Sequence, residues 1–243
     1  VIDILEKAIN EGHTLLPQGE LRKRISETPI QPPCNLKKDI FEVVEDFFEG
    51  VITKVEMADG TPAYQLNYLN QMGEKIQNTV LKRSKAKRNK IDADWNALLE
   101  EKLCSWDEIE TNDQETEKLA RKEKTAALKE LSESRVSVLI GPAGTGKTTL
   151  LSVLCNQQDI QNGGILLLAP TGKARVKLEQ EMANPNLKAF TIAQFLTKLG
   201  GYNWKTSRYI LPTKPPQHFG KTVIIDESSM LTEEMLGAVL ASV

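Results

Sequence analysis

Residues 136–151 read Val-Ser-Val-Leu-Ile-Gly-Pro-Ala-Gly-Thr-Gly-Lys-Thr-Thr-Leu-Leu: an apolar run expected to be a strand, a glycine-rich turn, and the opening of a helix. Gly141, Gly146, Lys147 and Thr148 fill the fixed positions of G-x-x-x-x-G-K-[ST], and each has a mechanical task. Glycine tolerates positive φ, so the turn can wrap with its backbone N–H groups facing phosphate oxygens. A helix opening at Lys147 adds unpaired N–H groups and the positive end of its dipole. In such a loop the lysine reaches the β- and γ-phosphates and the Thr148 hydroxyl sits on Mg²⁺. The whole turn, from Gly141 through Pro142, Ala143, Gly144, Thr145 and Gly146 to Lys147, Thr148 and Thr149, is therefore expected to bind ATP.

A phosphate loop needs an acidic partner, and the chain has one downstream. The apolar run Thr222-Val223-Ile224-Ile225 feeds Asp226-Glu227-Ser228-Ser229-Met230. Asp226 is expected to hold Mg²⁺, directly or through water, and Glu227 to orient and deprotonate the attacking water. Phosphoryl transfer asks little covalent chemistry of the protein, so placing metal and water is most of the task. The competing reading is an acidic pair opening a helix, where the dipole favours it. The site as a whole requires the turn after Ile140 and the acids after Ile225 to face each other across the metal.

Between the two lie further signals. Gly163-Gly164 precede Ile165-Leu166-Leu167-Leu168-Ala169, a continuous apolar run that reads as a buried strand. It ends at Pro170-Thr171-Gly172-Lys173, where a helix opens, and the carboxyl ends of strands are where open α/β sheets place ligand contacts. Thr191 stands as N-cap of a helix through Phe195 and Leu196. Residues 200–220 are irregular and carry Tyr202, Trp204 and Tyr209, readable as a hairpin or an exposed loop.

The 243 residues are 40% hydrophobic and 26% charged, enough for one or two domains with real cores. A net charge of −2 gives no global attraction to nucleic acid, so any such contact must come from local patches. Cys34, Cys104 and Cys155 lack metal-ligand spacing, which points to a reducing cytoplasm without a disulfide framework or zinc. No apolar run reaches membrane-spanning length and no signal peptide opens the chain. The chain starts at Val1 and ends at Val243 inside an apolar helical pattern, so both ends read as cut.

Upstream, residues 1–12 and 19–26 read as helices, the second with a basic face at Arg22, Lys23 and Arg24. Prolines at 29, 32 and 33 break the chain before a helix over 36–49 carrying Ile40, Phe41, Val44, Phe47 and Phe48. Residues 50–66 read as a β-hairpin turning at Asp59-Gly60. Three short helices and a hairpin suggest a winged-helix-like module, although such modules either grip DNA or only mediate packing. Residues 68–98 continue as helix with a basic run from Lys82 to Lys90, and charge runs are usually solvated faces. An acidic stretch at 107–117 marks a border, and residues 117–131 form an amphipathic helix with Leu119, Ala126, Ala127, Leu128 and Leu131. The resulting division is a helical, winged-helix-like domain with linker over 1–110 and an ATPase domain over 111–243.

The strings Gly-Pro-Ala-Gly-Thr-Gly-Lys-Thr-Thr, Ala-Pro-Thr-Gly-Lys-Ala, Thr-Ile-Ala-Gln-Phe-Leu and Ile-Ile-Asp-Glu-Ser-Ser-Met together resemble motifs I, Ia, Ib and II of RecD-like superfamily 1B DNA helicases, the family of exodeoxyribonuclease V alpha subunits. The segments 11–17 and 68–76 are similar to the region that precedes the motor in that family. The resemblance implies an α/β, RecA-like parallel sheet over 111–243 as a truncated first motor lobe. It also implies ATP-driven 5′→3′ translocation on single-stranded DNA, unwinding at duplex junctions in repair and recombination, and a second RecA-like lobe of the same protein that this stretch lacks. By the same likeness Pro170, Thr171, Lys173 and Thr191 face DNA, and residues 200–220 hold a strand-separating pin whose aromatics can stack on bases. Two positions depart from the family pattern: Ala193-Gln194 replace a His-Arg pair, and Lys124 stands where an adenine-reading Gln is usual. A nucleotide-switched DNA-binding ATPase without unwinding and an RNA helicase are the alternatives.

Overall fold

The computed structural model describes residues 1–29, 41, 43, 45–103, 114–142, 144–182, 184–212 and 222–243, and the chain divides into two units, Val1–Lys75 and Ile76–Val243. In the first, α1 (Ile2–Asn10) buries Ile4, Leu5 and Ala8 along one side. Gly12, at φ +90°, ends it, with the amides of Gly12 and His13 closing on the carbonyls of Ile9 and Ala8. β1 (Leu16–Pro17) leads straight into α2 (Gln18–Ser26), which buries Leu21 and Ile25. β2 (Ile52–Glu56) and β3 (Pro62–Leu66) form the expected hairpin, with Thr53 opposite Gln65 and Lys54 opposite Tyr64. Its turn takes positive φ at Gly60, and the Thr61 amide donates to Asp59 Oδ1 at 2.9 Å. β1 pairs with the far side of β3, giving the order β1-β3-β2.

The core of this unit gathers Leu5, Leu21 and Ile52 around Tyr64, whose ring stacks on Phe41 at 5.1 Å. Of the helix expected over 36–49, Phe41 and Val43 are helical and Glu45–Phe48 form a 3₁₀ turn; residues 36–40 lie outside the described residues. Phe47, expected on the apolar side, is 85% exposed, because the tightened turn swings it off the face that Phe41 and Phe48 share. α3 (Asn67–Ser84) carries the chain across the boundary between the units.

The second unit is α/β. Its elements are α4 (Trp95–Glu100), α5 (Gln114–Glu133), α6 (Lys147–Asn156), α7 (Gln158–Gly163), β4 (Ile165–Ala169), α8 (Gly172–Met182), β5 (Ala189–Thr191), α9 (Ile192–Leu199), the short antiparallel pair β6 (Tyr202–Asn203) and β7 (Arg208–Tyr209), β8 (Thr222–Ile225) and α10 (Glu233–Ser242). β4 lies at the centre of a parallel sheet ordered β5-β4-β8, with Leu167 opposite both Ala189 and Ile224. Side chains alternate across a strand, so an all-apolar β4 demands cover on both faces. Leu167, Ala189 and Ile224 meet Leu150, Val153 and Leu154 of α6 and Leu178 and Met182 of α8. Leu166 and Leu168 meet Phe195 and Leu196 of α9 and Ala238 and Val239 of α10. Each such leucine, taken fully out of water, contributes about 2 kcal/mol.

Three features differ from expectation. Residues 136–140 form no strand: Val138 is 73% and Ile140 87% exposed while Leu139 packs on the core, because strand propensity without a facing ladder leaves one side of the chain in water. On α5, Leu119 points outward while Arg121 is only 3% exposed and pairs with Glu117 at 2.7 Å and with Glu100. Leu128, one helical turn beyond Thr125, sets the buried side, and that phase turns Leu119 away. Finally, α4 packs on α5, with Trp95 and Leu99 sharing the core of Leu128 and Leu150. Residues 76–103 therefore go with the second unit, and the expected border at 107–117 lies largely outside the described residues.

Candidate phosphate-binding site

The turn between Ile140 and α6 has the backbone that its glycines foretell. Gly144 and Gly146 both sit in the left-handed region, at φ +80° and +81°, where a side chain is strained. Gly141 serves differently: its φ is not positive, and a Cβ there would lie 3.0 Å from Thr145 Oγ1, a close approach that the threonine hydroxyl would have to give way to. The Thr145 hydroxyl donates to the carbonyl of Pro142 at 2.9 Å, cross-bracing the turn. Ala143 lies outside the described residues. α6 begins at Lys147 with Gly146 as N-cap and no side-chain capping bond, so its first amides are not taken by a cap side chain.

Lys147 folds back into the turn, its Nζ donating to the carbonyls of Gly141 and Pro142 at 2.7 Å each. These two carbonyls hold the ammonium where an anion in the turn would meet it, and an arriving phosphate would exchange with them. The half-buried Thr148 hydroxyl has no hydrogen-bond partner among the described residues. Thr149 stands close by, its Oγ1 3.8 Å from a Cβ built on Gly146.

A second group of residues gathers at the carboxyl edge of the parallel sheet. Because β4, β5 and β8 run the same way, Pro170-Thr171, Thr191 and Asp226-Glu227 all leave it on one side. The Asp226 amide donates to the Leu168 carbonyl at 3.0 Å, extending the β8 ladder by one bond and tying the acid to the central strand. Glu227 is exposed and non-glycine yet held at φ +53°, a left-handed conformation that costs about 1–3 kcal/mol. Thr171 Oγ1 accepts from the Ala174 amide at 3.2 Å and opens α8, which presents Lys173 to solvent. Thr191 caps α9 as expected, and Gln194 completes a capping box: Thr191 Oγ1 accepts from the Gln194 amide at 3.1 Å while Gln194 Oε1 accepts from the Thr191 amide at 3.0 Å.

Among the described residues, no hydrogen bond or ion pair joins Lys147 or Thr148 to Asp226 or Glu227. What links the two groups is the core beneath them, where Leu150 and Val153 of α6 share one cluster with Ile224 of β8. Of the loop aromatics, Tyr202 and Tyr209 pack on each other at 4.8 Å and Tyr209 belongs to the core, whereas Trp204 is 73% exposed with the Lys205 ammonium over its ring. Residues 213–220 of that stretch lie outside the described residues. Burial in the α6 layer pushes the Cys155 thiol up to about 12, which makes it a packing residue.

Two residues of α5 lie outside the motif. Lys124 of α5 reaches Gly146: a Cβ built there would lie 3.8 Å from Lys124 Cε and 3.9 Å from its Nζ. The Arg121 cluster one turn earlier anchors α5 to α4. A charged i,i+4 pair, Glu117 and Arg121, was the visible signal for the second; the first was visible as the Lys124 departure from the family pattern, though its contact with Gly146 was not.

The family model described as an AAA domain matches residues 119–243, from within α5 to the end of the chain. Along its whole length the chain is 25% identical to an uncharacterized protein of Methanocaldococcus jannaschii, of which it spans 22%.

Proposed function

The chain belongs to the AAA-domain family of P-loop nucleotide hydrolases, and from that premise we propose that residues 76–243 form the first motor lobe of a RecD-like, ATP-driven DNA helicase. The observation that carries the reading is the shared carboxyl edge, where the Pro170-Thr171 turn, Thr191 and the Asp226-Glu227 pair emerge beside one another. A simple nucleotide switch has no need of the Pro-Thr-Gly-Lys turn; a motor that must couple phosphate chemistry to a strand does.

The loop amides and Lys147 bind the triphosphate, the lysine trading the carbonyls of Gly141 and Pro142 for phosphate oxygens. Hydroxyl and carboxylate oxygens suit Mg²⁺, which keeps several waters and takes further ligands from phosphate. Thr148 and Asp226 have such oxygens, and neither is engaged by a protein cation among the described residues. When bound, the ion neutralises charge on the phosphates. Glu227 orients the attacking water and takes its proton, and the backbone at φ +53° sets the direction in which its side chain leaves the chain. Pro170, Thr171, Lys173 and Thr191 face single-stranded DNA.

In this reading the full-length protein supplies a second RecA-like lobe, translocates 5′→3′, opens duplex junctions, and acts in the cytoplasm in repair and recombination. The first unit, in which α1 and α2 precede a hairpin joined by β1, is its winged-helix-like module. A second reading has its own support: the hydroxyls of Thr171 and Thr191 both cap helices, which fits a DNA-binding ATPase that switches without unwinding. ATPase assays on the full-length protein with single-stranded DNA or RNA, and unwinding of 5′- and 3′-tailed duplexes, separate these. Stimulation by DNA with opening of 5′-tailed duplexes only is expected. Absence of stimulation by either polymer, or hydrolysis that survives Lys147→Ala, would end the motor reading.

A further inference from the structure

Granted the nucleotide site proposed above, we infer that Lys124 is a second phosphate-binding lysine and that the site takes nucleoside triphosphates with little regard to the base. The ammonium of Lys124 projects from α5 to the glycine that opens α6, within 3.9 Å of where a Cβ on Gly146 would stand. It is half-buried, and no carboxylate or carbonyl engages it among the described residues. Glu117, two turns earlier on the same helix, and Glu100 of α4 are committed to Arg121. Lys147 spends its ammonium on two carbonyls of the same turn. Two ammonium groups are therefore presented to one loop, neither of them in an ion pair among the described residues, and like charges on one loop repel until an anion arrives. A triphosphate, with several charges, is the ligand that fits it.

The chemistry of the side chain also limits what Lys124 itself can read. Lysine carries three donors and no acceptor, so it cannot take a hydrogen bond from an exocyclic amine of a base. It is a point charge on a flexible stem, suited to phosphate oxygens wherever they lie within reach. Lys124 thus adds binding energy that every nucleoside triphosphate shares, and inorganic tripolyphosphate shares it too.

Equilibrium titrations of the full-length protein with Mg-ATP, Mg-GTP, Mg-CTP and inorganic tripolyphosphate test this. Wild type should bind the three nucleotides with similar affinity. Lys124→Ala should weaken all four ligands by about tenfold, the loss of one charge-assisted hydrogen bond. Lys124→Arg should restore most of it, and Lys124→Gln should not restore tripolyphosphate. The proposal is overturned if Lys124→Ala leaves tripolyphosphate binding unchanged, or if wild type prefers one base by far more than tenfold. Lys147→Ala separates the two levels: if it abolishes binding while Lys124→Ala does nothing, only the Lys124 role falls, whereas nucleotide binding that ignores Lys147 removes the site itself. Urea midpoints of each variant show whether a loss of affinity is a loss of fold.

Discussion

Thr191 ends β5 and begins α9, and its replacement separates a capping role from a DNA-contacting one. The hydroxyl accepts one bond, from the Gln194 amide at 3.1 Å, and the reciprocal bond from the Thr191 amide to Gln194 Oε1 at 3.0 Å does not depend on it. Thr191→Ala therefore removes half of the box and strands one amide at the start of a helix whose Ile192 and Leu196 are fully buried. The expected loss is about 1 kcal/mol, a fall in Tm of about 2–4 °C for a chain of this size. Thr191→Asp caps at least as well and adds a charge that the helix dipole favours by about 0.3–1 kcal/mol, so its stability should return to that of wild type. On DNA the order reverses: a carboxylate at this edge repels a phosphate, so Thr191→Asp should bind single-stranded DNA worse than Thr191→Ala. Urea unfolding followed by circular dichroism gives the first ranking and fluorescence anisotropy with a labelled oligonucleotide the second. An aspartate variant as unstable as the alanine variant would refute the capping argument; equal DNA affinity in all three proteins would remove Thr191 from the DNA surface.

Other outcomes follow from burial and pairing. Arg121→Leu should cost about 2–3 kcal/mol, somewhat less than breaking a fully buried pair, because the carboxylates left behind on Glu100 and Glu117 are 31% and 28% exposed and can rehydrate; adding Glu100→Gln and Glu117→Gln should recover much of the loss in thermal melts. Cys155, held up to about 12 from an ordinary 9.0, should resist iodoacetamide at pH 8 until the protein is unfolded, as peptide mapping would show. Since its folded form keeps the proton more tightly, the stability it contributes is whole below about pH 9 and declines as pH rises toward 12, so Cys155→Val should flatten the stability profile in that window. Residues 136–140 should gain hydrogen-exchange protection when Mg-ATP binds, as Val138 and Ile140 leave water for a gain of about 1.5–3 kcal/mol each; unchanged exchange with nucleotide bound would contradict this.

Much of the second unit was legible because its signals are local and agree with one another. β4 begins at Ile165 and ends at Ala169, where the apolar run does, and β8 covers Thr222 to Ile225 for the same reason. Thr191 caps because a threonine before an apolar run with glutamine three residues on has one good use. Positive φ at Gly144 and Gly146 follows from the turn they must make. The misreadings arise where one pattern admits two phases. On α5, Leu119 and Leu128 cannot both face inward, and the buried place goes to Arg121 because Glu117 and Glu100 neutralise it. Lys124 meets Gly146 through tertiary packing of α5 near α6, which no local pattern encodes.

Pairing is the other property that a single segment does not contain. Residues 136–140 have the composition of β8 yet lie unpaired, while β8, with β4 as its partner among the described residues, keeps Val223 and Ile225 half-buried. Apolar strand residues left in water on one segment, and an open ladder edge on another in the same unit, are complementary deficits. The phosphate turn forms without that pairing, since its φ angles and its Lys147 bonds are satisfied within residues 141–147. The acid pair forms without it too, held by Leu168. Each half of the candidate site is thus built independently, and on the proposed reading the work left to the ligand is to bring them to bear on the same phosphate, since a triphosphate with Mg²⁺ would offer groups to Lys147 and Asp226 at once. On the motor reading proposed above, nucleotide binding and closure of the site would be one event.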